Sequence, residues 1–184
     1  TGVQTCALPI SSATIGAYRC PADNYLSPAQ RAAGFPHRNR SLSMNAVFGR
    51  FSTGNDVTAQ GLHWGDQTYR QYLKQTQVPK PSKTWLILDE HADSINDGYF
   101  INGPNGSSWT DIPASYHCGA CGFSFADGHS EIKKWKSRTS IYTRVQYAYP
   151  STMNFDALGN QDFNWYKERT GYIDARTGQR YFNY

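Results

Sequence analysis

The sequence has no apolar run approaching the roughly 20 residues that a membrane-spanning helix requires. Its longest is Trp85-Leu86-Ile87-Leu88. Gly-x-Gly-x-x-Gly, Gly-x4-Gly-Lys, His-Glu-x-x-His and Gly-x-Ser-x-Gly are all missing. The sequence therefore carries no signature of a dinucleotide-binding turn, a P-loop, a helical zinc protease or a nucleophile elbow. Cysteine is scarce at 4 residues, and no second Cys-x2-Cys pair exists to complete a four-thiolate zinc site. What is plentiful is aromatic: 5 Trp, 13 Tyr and 9 Phe make up 15% of 184 residues. With a mean hydropathy of -0.65, that composition predicts one polar-surfaced domain around a small, ring-rich core.

Charge is unevenly placed. Residues 1–83 hold nine Lys or Arg against three carboxylates, and residues 133–184 hold nine against four. Between them, residues 84–132 carry Asp89, Glu90, Asp93, Asp97, Asp111, Asp127 and Glu131 with no Lys or Arg. The net charge of +4 is thus two basic flanks around an acidic centre. The basic residues are scattered, not gathered into a stripe with a recognisable module, so no nucleic-acid partner is expected.

Residues 1–10, Thr-Gly-Val-Gln-Thr-Cys-Ala-Leu-Pro-Ile, lack an initiator Met, a basic n-region and a long apolar h-region. They resemble a translated sequencing adapter, the alternative being a processed mature N-terminus. Residues 1–10 are set apart as an artefactual leader, leaving 11–184 as a single domain.

Local signals predict short elements. Ser27 and Pro28 suit the N-cap and first position of a helix ending at Gly34. Ser41–Phe48 alternates as a strand, residues 52–66 form a loop, and Asp66–Gln75 is expected to be a short helix. Thr84–Asp89 is expected to be a central strand buried on both faces, with Tyr99–Ile101 a partner after the Asp97-Gly98 turn. Gly122–Ala126 and His129–Trp135 should form a hairpin about a two-residue Asp127-Gly128 turn. A last helix is placed at Asp162–Arg169. The expected fold class is α+β, with an antiparallel sheet, hairpins and short helices.

Four carboxylates, an imidazole and an amide crowd the stretch Asp89-Glu-His-Ala-Asp-Ser-Ile-Asn-Asp-Gly98. Crowded oxygen ligands suit a hard cation, so Asp89, Glu90, Asp93 and Asp97 are candidate Ca²⁺ ligands. The EF-hand spacing fails, because Ile95 stands where an oxygen ligand is needed. The competing reading is that these groups cap turns and helix ends. His117-Cys118-Gly-Ala-Cys121 raises zinc, but one Cys-x2-Cys supplies too few ligands. Disulfides among Cys20, Cys118 and Cys121, or free thiols, remain open. Two further readings stay in view: a metal-dependent hydrolase using Asp89, Glu90, His91, His117 and Asp127, and a carbohydrate-binding head using Trp64, Trp109 and nearby tyrosines.

His117 is followed by nine residues and then Asp127-Gly128. This resembles the His-x9-Asp-Gly signature of prepilin-type, type II secretion pseudopilin-like proteins. Further stretches are similar to the same family and lie in order across residues 18–170. They are Tyr18-Arg-Cys-Pro-Ala-Asp23, Arg40-Ser-Leu-Ser-Met-Asn45, Pro81-Ser-Lys-Thr-Trp85, Leu88–Gly98, Pro113-Ala-Ser-Tyr-His117, Phe125-Ala-Asp-Gly-His-Ser-Glu-Ile132 and Asp162-Phe-Asn-Trp-Tyr-Lys-Glu-Arg169.

The resemblance implies a non-enzymatic filament subunit of the bacterial envelope. Its pilin-like head would be periplasmic or extracellular, carried by an apolar N-terminal helix that this sequence lacks. That missing helix would be its one link to the inner membrane. The implied partners are other pilin-like subunits and the inner-membrane secretion machinery. Some pseudopilin heads bind calcium, which adds to the interest of the acidic loop without assigning its ligands. The family usually has Gly at the position of Cys121, which argues against a family-wide zinc site. Within the motif, His117 is expected to bond either to Asp127 or to the loop after Asp89, tying that loop to the hairpin.

Overall fold

The structure is a computed structural model, and it describes residues 15–24, 26, 28–49, 62–64, 67–115, 117–146 and 151–184. Residues 1–10, with Cys6, therefore lie outside the described residues, as do Ser27 and most of the expected 52–66 loop.

Among the described residues, two α-helices and seven strands follow a short 3-10 turn at Ile15–Tyr18: α1 (Pro28–Ala32), β1 (Leu42–Asn45), β2 (Leu62–Trp64), β3 (Gln67–Tyr69), β4 (Trp85–Asp89), β5 (Tyr99–Phe100), β6 (Ala120–Phe125), β7 (Ser130–Lys134) and α2 (Ala157–Thr170). Five strands form one sheet in the order β5-β1-β4-β6-β7, while β2 and β3 pair separately. The fold is mixed α+β. Three pairings in the large sheet are antiparallel, but β5 runs parallel to β1. The expectation of a purely antiparallel sheet is corrected there. Some fifty residues lie between β1 and β5, and β4 occupies the antiparallel position beside β1, so the chain reaches β5 only by returning to the opposite edge.

β4 is central, as expected, but it is not buried on both faces: Trp85 and Leu88 are buried while Leu86 and Ile87 are half-exposed. A bulge between Trp85 and Ile87 shifts the register with β6. Trp85, Leu88, Phe123 and Phe125 point to the face covered by α2, where they meet Trp109, Trp135, Phe163 and Tyr166. Trp85 Nε1 donates to Thr170 Oγ1 at 3.1 Å, so even the ring nitrogen is satisfied inside the core. Buried Asn45 donates from Nδ2 to the carbonyls of Trp85 and Thr170 at 2.9 and 3.0 Å, joining β1, β4 and the end of α2. A second cluster gathers Val47, Tyr69, Tyr72 and Tyr172 beside the sheet.

Two further expectations are corrected. Asp66–Gln75 is not a helix: Gln67–Tyr69 is a strand, Tyr72 bridges to Phe48, and a 3-10 turn begins only at Gln75. Burial of Tyr69 and Tyr72 in the second cluster overrides their shared-face spacing. The Asp127-Gly128 hairpin exists, but only Gly128 has positive φ, at 98°. Its N–H donates to the Phe125 carbonyl at 2.9 Å, and Phe125 N–H donates to the His129 carbonyl at 2.9 Å. The loop is therefore the three-residue type with glycine in the left-handed position.

Candidate functional site

Asp89 ends β4 on the face away from α2, opposite Leu42 of β1. Its Oδ2 lies 3.3 Å from His117 Nε2, and the same nitrogen lies 3.6 Å from Cys20 Sγ. Among the described residues this is the single group of three or more Cys, His, Asp or Glu whose ligating atoms converge, all within 4.8 Å of one another. Sequence separations of 28 and 97 residues hide the grouping from any local motif.

Each side chain is held by its element. Cys20 N–H donates to the Ser41 hydroxyl at 2.7 Å, and Ser41 N–H donates to the Tyr18 carbonyl at 2.9 Å. These bonds clamp residues 18–20 to the start of β1. His117 N–H donates to the Ala120 carbonyl at 3.2 Å, closing the turn that leads into β6. Gly122 of β6 makes room: a Cβ there would come within 2.9 Å of Asp89 Oδ2. Burial pushes the Asp89 carboxyl above its ordinary range, partly offset by its bond to His117. Desolvation likewise raises the Cys20 thiol.

The four expected calcium ligands do not converge. Successive side chains of a strand point to opposite faces, so Glu90 turns away from Asp89 and is enclosed by the Ser43 and Ser94 hydroxyls. Asp93 accepts from Gln146 N–H at 2.6 Å, and Asp97 accepts from Tyr99 N–H at 2.7 Å. Asp97 thus caps its own turn, as the competing reading of the acidic loop has it, whereas Asp93 holds the backbone of a segment 53 residues away.

The hydrolase set is scattered too. His91 is a buried residue whose Nδ1 accepts from Asp93 N–H at 3.2 Å and whose ring meets Tyr142 edge-on. Burial lowers its pKa, so it is a neutral core imidazole. Asp127 sits at the hairpin tip, beyond the far end of β6 from His117, bonded to His129 Nδ1 at 2.6 Å. The His117–Asp127 bond considered from the sequence is thus not made. His117 pairs with Asp89 instead, so it does tie the acidic segment to β6.

Cys20, Cys118 and Cys121 are all free thiols, the second of the two alternatives open from the sequence. Cys118 is exposed, whereas Cys121 is buried and donates to the Asp89 carbonyl at 3.2 Å. Among the described residues neither belongs to a converging group of three or more ligand atoms. Trp109 is buried at 1% exposure, which removes it from any sugar-binding surface. The Trp64 side chain lies outside the described residues.

Glu90 has a separate consequence. Burial pushes its pKa up to about 8, so it is neutral at pH 7 in the folded chain. In the unfolded chain it ionises near 4.5. A proton held more tightly in the folded state contributes stability that is full below pH 4.5 and is lost as pH rises towards 8. Thermal melts from pH 5 to 8 should therefore show Tm falling in the wild type and a flatter profile in Glu90→Gln. Parallel slopes in the two proteins would assign the pH dependence to other groups.

Comparison with known proteins adds no relative: no protein-family model, no curated protein and no solved structure matches the chain.

Proposed function

We propose that this chain is the pilin-like globular head of a subunit of a type II secretion pseudopilus or type IV pilus-like filament at the bacterial envelope. The observation that carries the reading is the sheet face opposite α2. An antiparallel sheet that faces water on one side ordinarily shows polar residues there. This face instead presents Leu42, Met44, Leu86, Ile87 and Ile132 around a groove of about 700 Å³. Ile132 on the edge strand β7 is 70% exposed.

Ala17 and Tyr18 line the same groove, so the chain enters the sheet along this face. An apolar N-terminal helix packed on this face would bury the side chains that α2 leaves uncovered, and anchoring in the membrane would fall to that helix. Among the described residues no helix is long and apolar enough to cross a membrane. The subunit's partners would be its neighbours in the filament and the inner-membrane machinery that assembles them. It would turn over no substrate.

The intact coding sequence tests this most simply. It should encode, upstream of residue 11, a short basic leader followed by about 20 apolar residues. A complete reading frame without that stretch would overturn the proposal. In cells making the intact protein, Ile132→Asp should abolish filament incorporation, while the Tm of the isolated head moves little because the side chain is already in water. Normal incorporation of Ile132→Asp would remove the open face from assembly.

A further inference from the structure

We propose that Cys20 Sγ, Asp89 and His117 Nε2 form a three-ligand site for a borderline-soft divalent metal of the zinc type, with the fourth position open. This site is independent of the filament reading.

The geometry makes the case. Zinc binds thiolate sulfur at about 2.3 Å and imidazole nitrogen or carboxylate oxygen at about 2.0–2.2 Å, in tetrahedral arrangement. Those bond lengths set the edges of the tetrahedron at about 3.6 Å from sulfur to nitrogen and about 3.4 Å from nitrogen to oxygen. The observed edges are 3.6 Å between Cys20 Sγ and His117 Nε2 and 3.3 Å between His117 Nε2 and Asp89 Oδ2. All three ligand atoms lie within 4.8 Å of each other, as they must around one ion.

The alternative explanations account for less. A catalytic thiol–imidazole–carboxylate relay places the thiol and the acid on different ring nitrogens. Here both face Nε2, and one ring nitrogen carries at most one proton. A hydrogen-bonded cluster would also be expected to satisfy the carboxylate, yet among the described residues buried Asp89 Oδ1 has no hydrogen-bond partner. An ion at the centre accounts for the shared nitrogen and can also engage that second oxygen. Gly122 leaves the flank of the site free of a side chain, since a Cβ there would stand 2.9 Å from Asp89 Oδ2 and 3.9 Å from His117 Nε2.

The ligand chemistry selects the ion. Calcium takes oxygen donors and has little use for sulfur, whereas zinc and cobalt accept the sulfur, nitrogen and oxygen set together. Binding would fasten the segment around Cys20 to β4 and to the turn before β6. Folding and metal binding are thereby linked.

The test uses the full chain, stripped of metal and kept reduced with a non-chelating phosphine, titrated separately with Zn²⁺, Co²⁺ and Ca²⁺. Zinc at a hundredfold excess over its Kd should raise Tm by about 5–10 °C, and Co²⁺ should develop a thiolate-to-metal charge-transfer band. Calcium should do neither. Cys20→Ser should lose the band and most of the shift, and His117→Ala should weaken both. Cys118→Ser, altering an exposed thiol outside the group, should keep both. Circular dichroism of the metal-free variants establishes that each is folded; should Cys20→Ser fail to fold, His117→Ala carries the test. The proposal is overturned if zinc produces no shift, if the cobalt band survives Cys20→Ser, or if Cys118→Ser abolishes it.

Discussion

Trp109→Ala will lower stability by about 3–5 kcal/mol, the largest loss expected from a single change in the apolar core. Trp109 is buried at 1% exposure. Its ring meets Trp135, Phe155, Phe163 and Tyr166 at centroid distances of 5.8, 5.5, 5.2 and 5.4 Å, all edge-to-face. Its Nε1 donates to Ser140 Oγ at 3.2 Å. Truncation removes the transfer energy of the ring, leaves a cavity among four rings that cannot all close on it, and strands the Ser140 hydroxyl. A domain of this size has only about 5–15 kcal/mol in total, so the variant should melt roughly 10 °C lower. Urea titration should show a lower midpoint with an unchanged slope, because a smaller slope would mean a loosened native state. Trp109→Phe should lose less, as most of the ring contacts survive. A Trp109→Ala protein of wild-type stability with impaired sugar binding would restore the carbohydrate reading and remove Trp109 from the core.

Trp109 also shows where sequence reasoning stops. Composition foretells a ring-rich core, but no local pattern separates a buried tryptophan from a sugar platform in a Gly-Ser loop. Strands with strong local signals were legible: Thr84–Asp89 and the two arms around Asp127-Gly128 fall within a residue or two of β4, β6 and β7. The parallel placement of β5 was not, because strand order is set by contacts across long stretches of chain.

The helix expected at Asp162–Arg169 exists but begins five residues earlier, at Ala157. Asp156 is its N-cap, accepting from Gly159 N–H at 2.6 Å. Gly159 looks like a helix breaker, yet it is required by packing: a Cβ there would come 2.1 Å from Thr139 Oγ1. The acidic loop was legible as unusual and misleading as to why. Sequence proximity groups its carboxylates, whereas the strand's alternation separates Asp89 from Glu90. From the sequence Cys20 is a disulfide partner or a free thiol, and nothing in its spacing joins it to Asp89 and His117. The one hint is the expected contact of His117 with the segment after Asp89; no spacing rule adds a thiol from 97 residues away.

Asp162→Ala should be nearly as damaging as the tryptophan change, for an electrostatic reason. Asp162 is fully buried within α2. One oxygen accepts from Lys136 N–H at 2.8 Å and Ser137 N–H at 3.1 Å. The other meets Lys133 Nζ at 3.1 Å. Lys133 arrives from β7, and its ammonium also lies 5.6 and 5.4 Å from the rings of Trp135 and Trp165. Alanine would leave two backbone donors and a largely enclosed ammonium without an acceptor, a loss of about 3–5 kcal/mol.

Asp162→Asn retains one acceptor oxygen but presents an NH₂ group towards a donor, so an intermediate loss is expected. Lys133→Met removes the ammonium while leaving both backbone bonds, and should cost less than Asp162→Ala. Introducing Lys133→Met into the Asp162→Ala background should then recover part of the loss, since no unpaired charge remains. Urea unfolding of the four proteins measures the coupling. Strict additivity would show that the ion pair does not hold α2 to β7. Recovery in the double variant would identify Asp162 as the polar bolt that seats α2 on one face of the sheet. Seating α2 there commits Leu86, Ile87 and Ile132 to the other face, the surface on which assembly through the open groove depends.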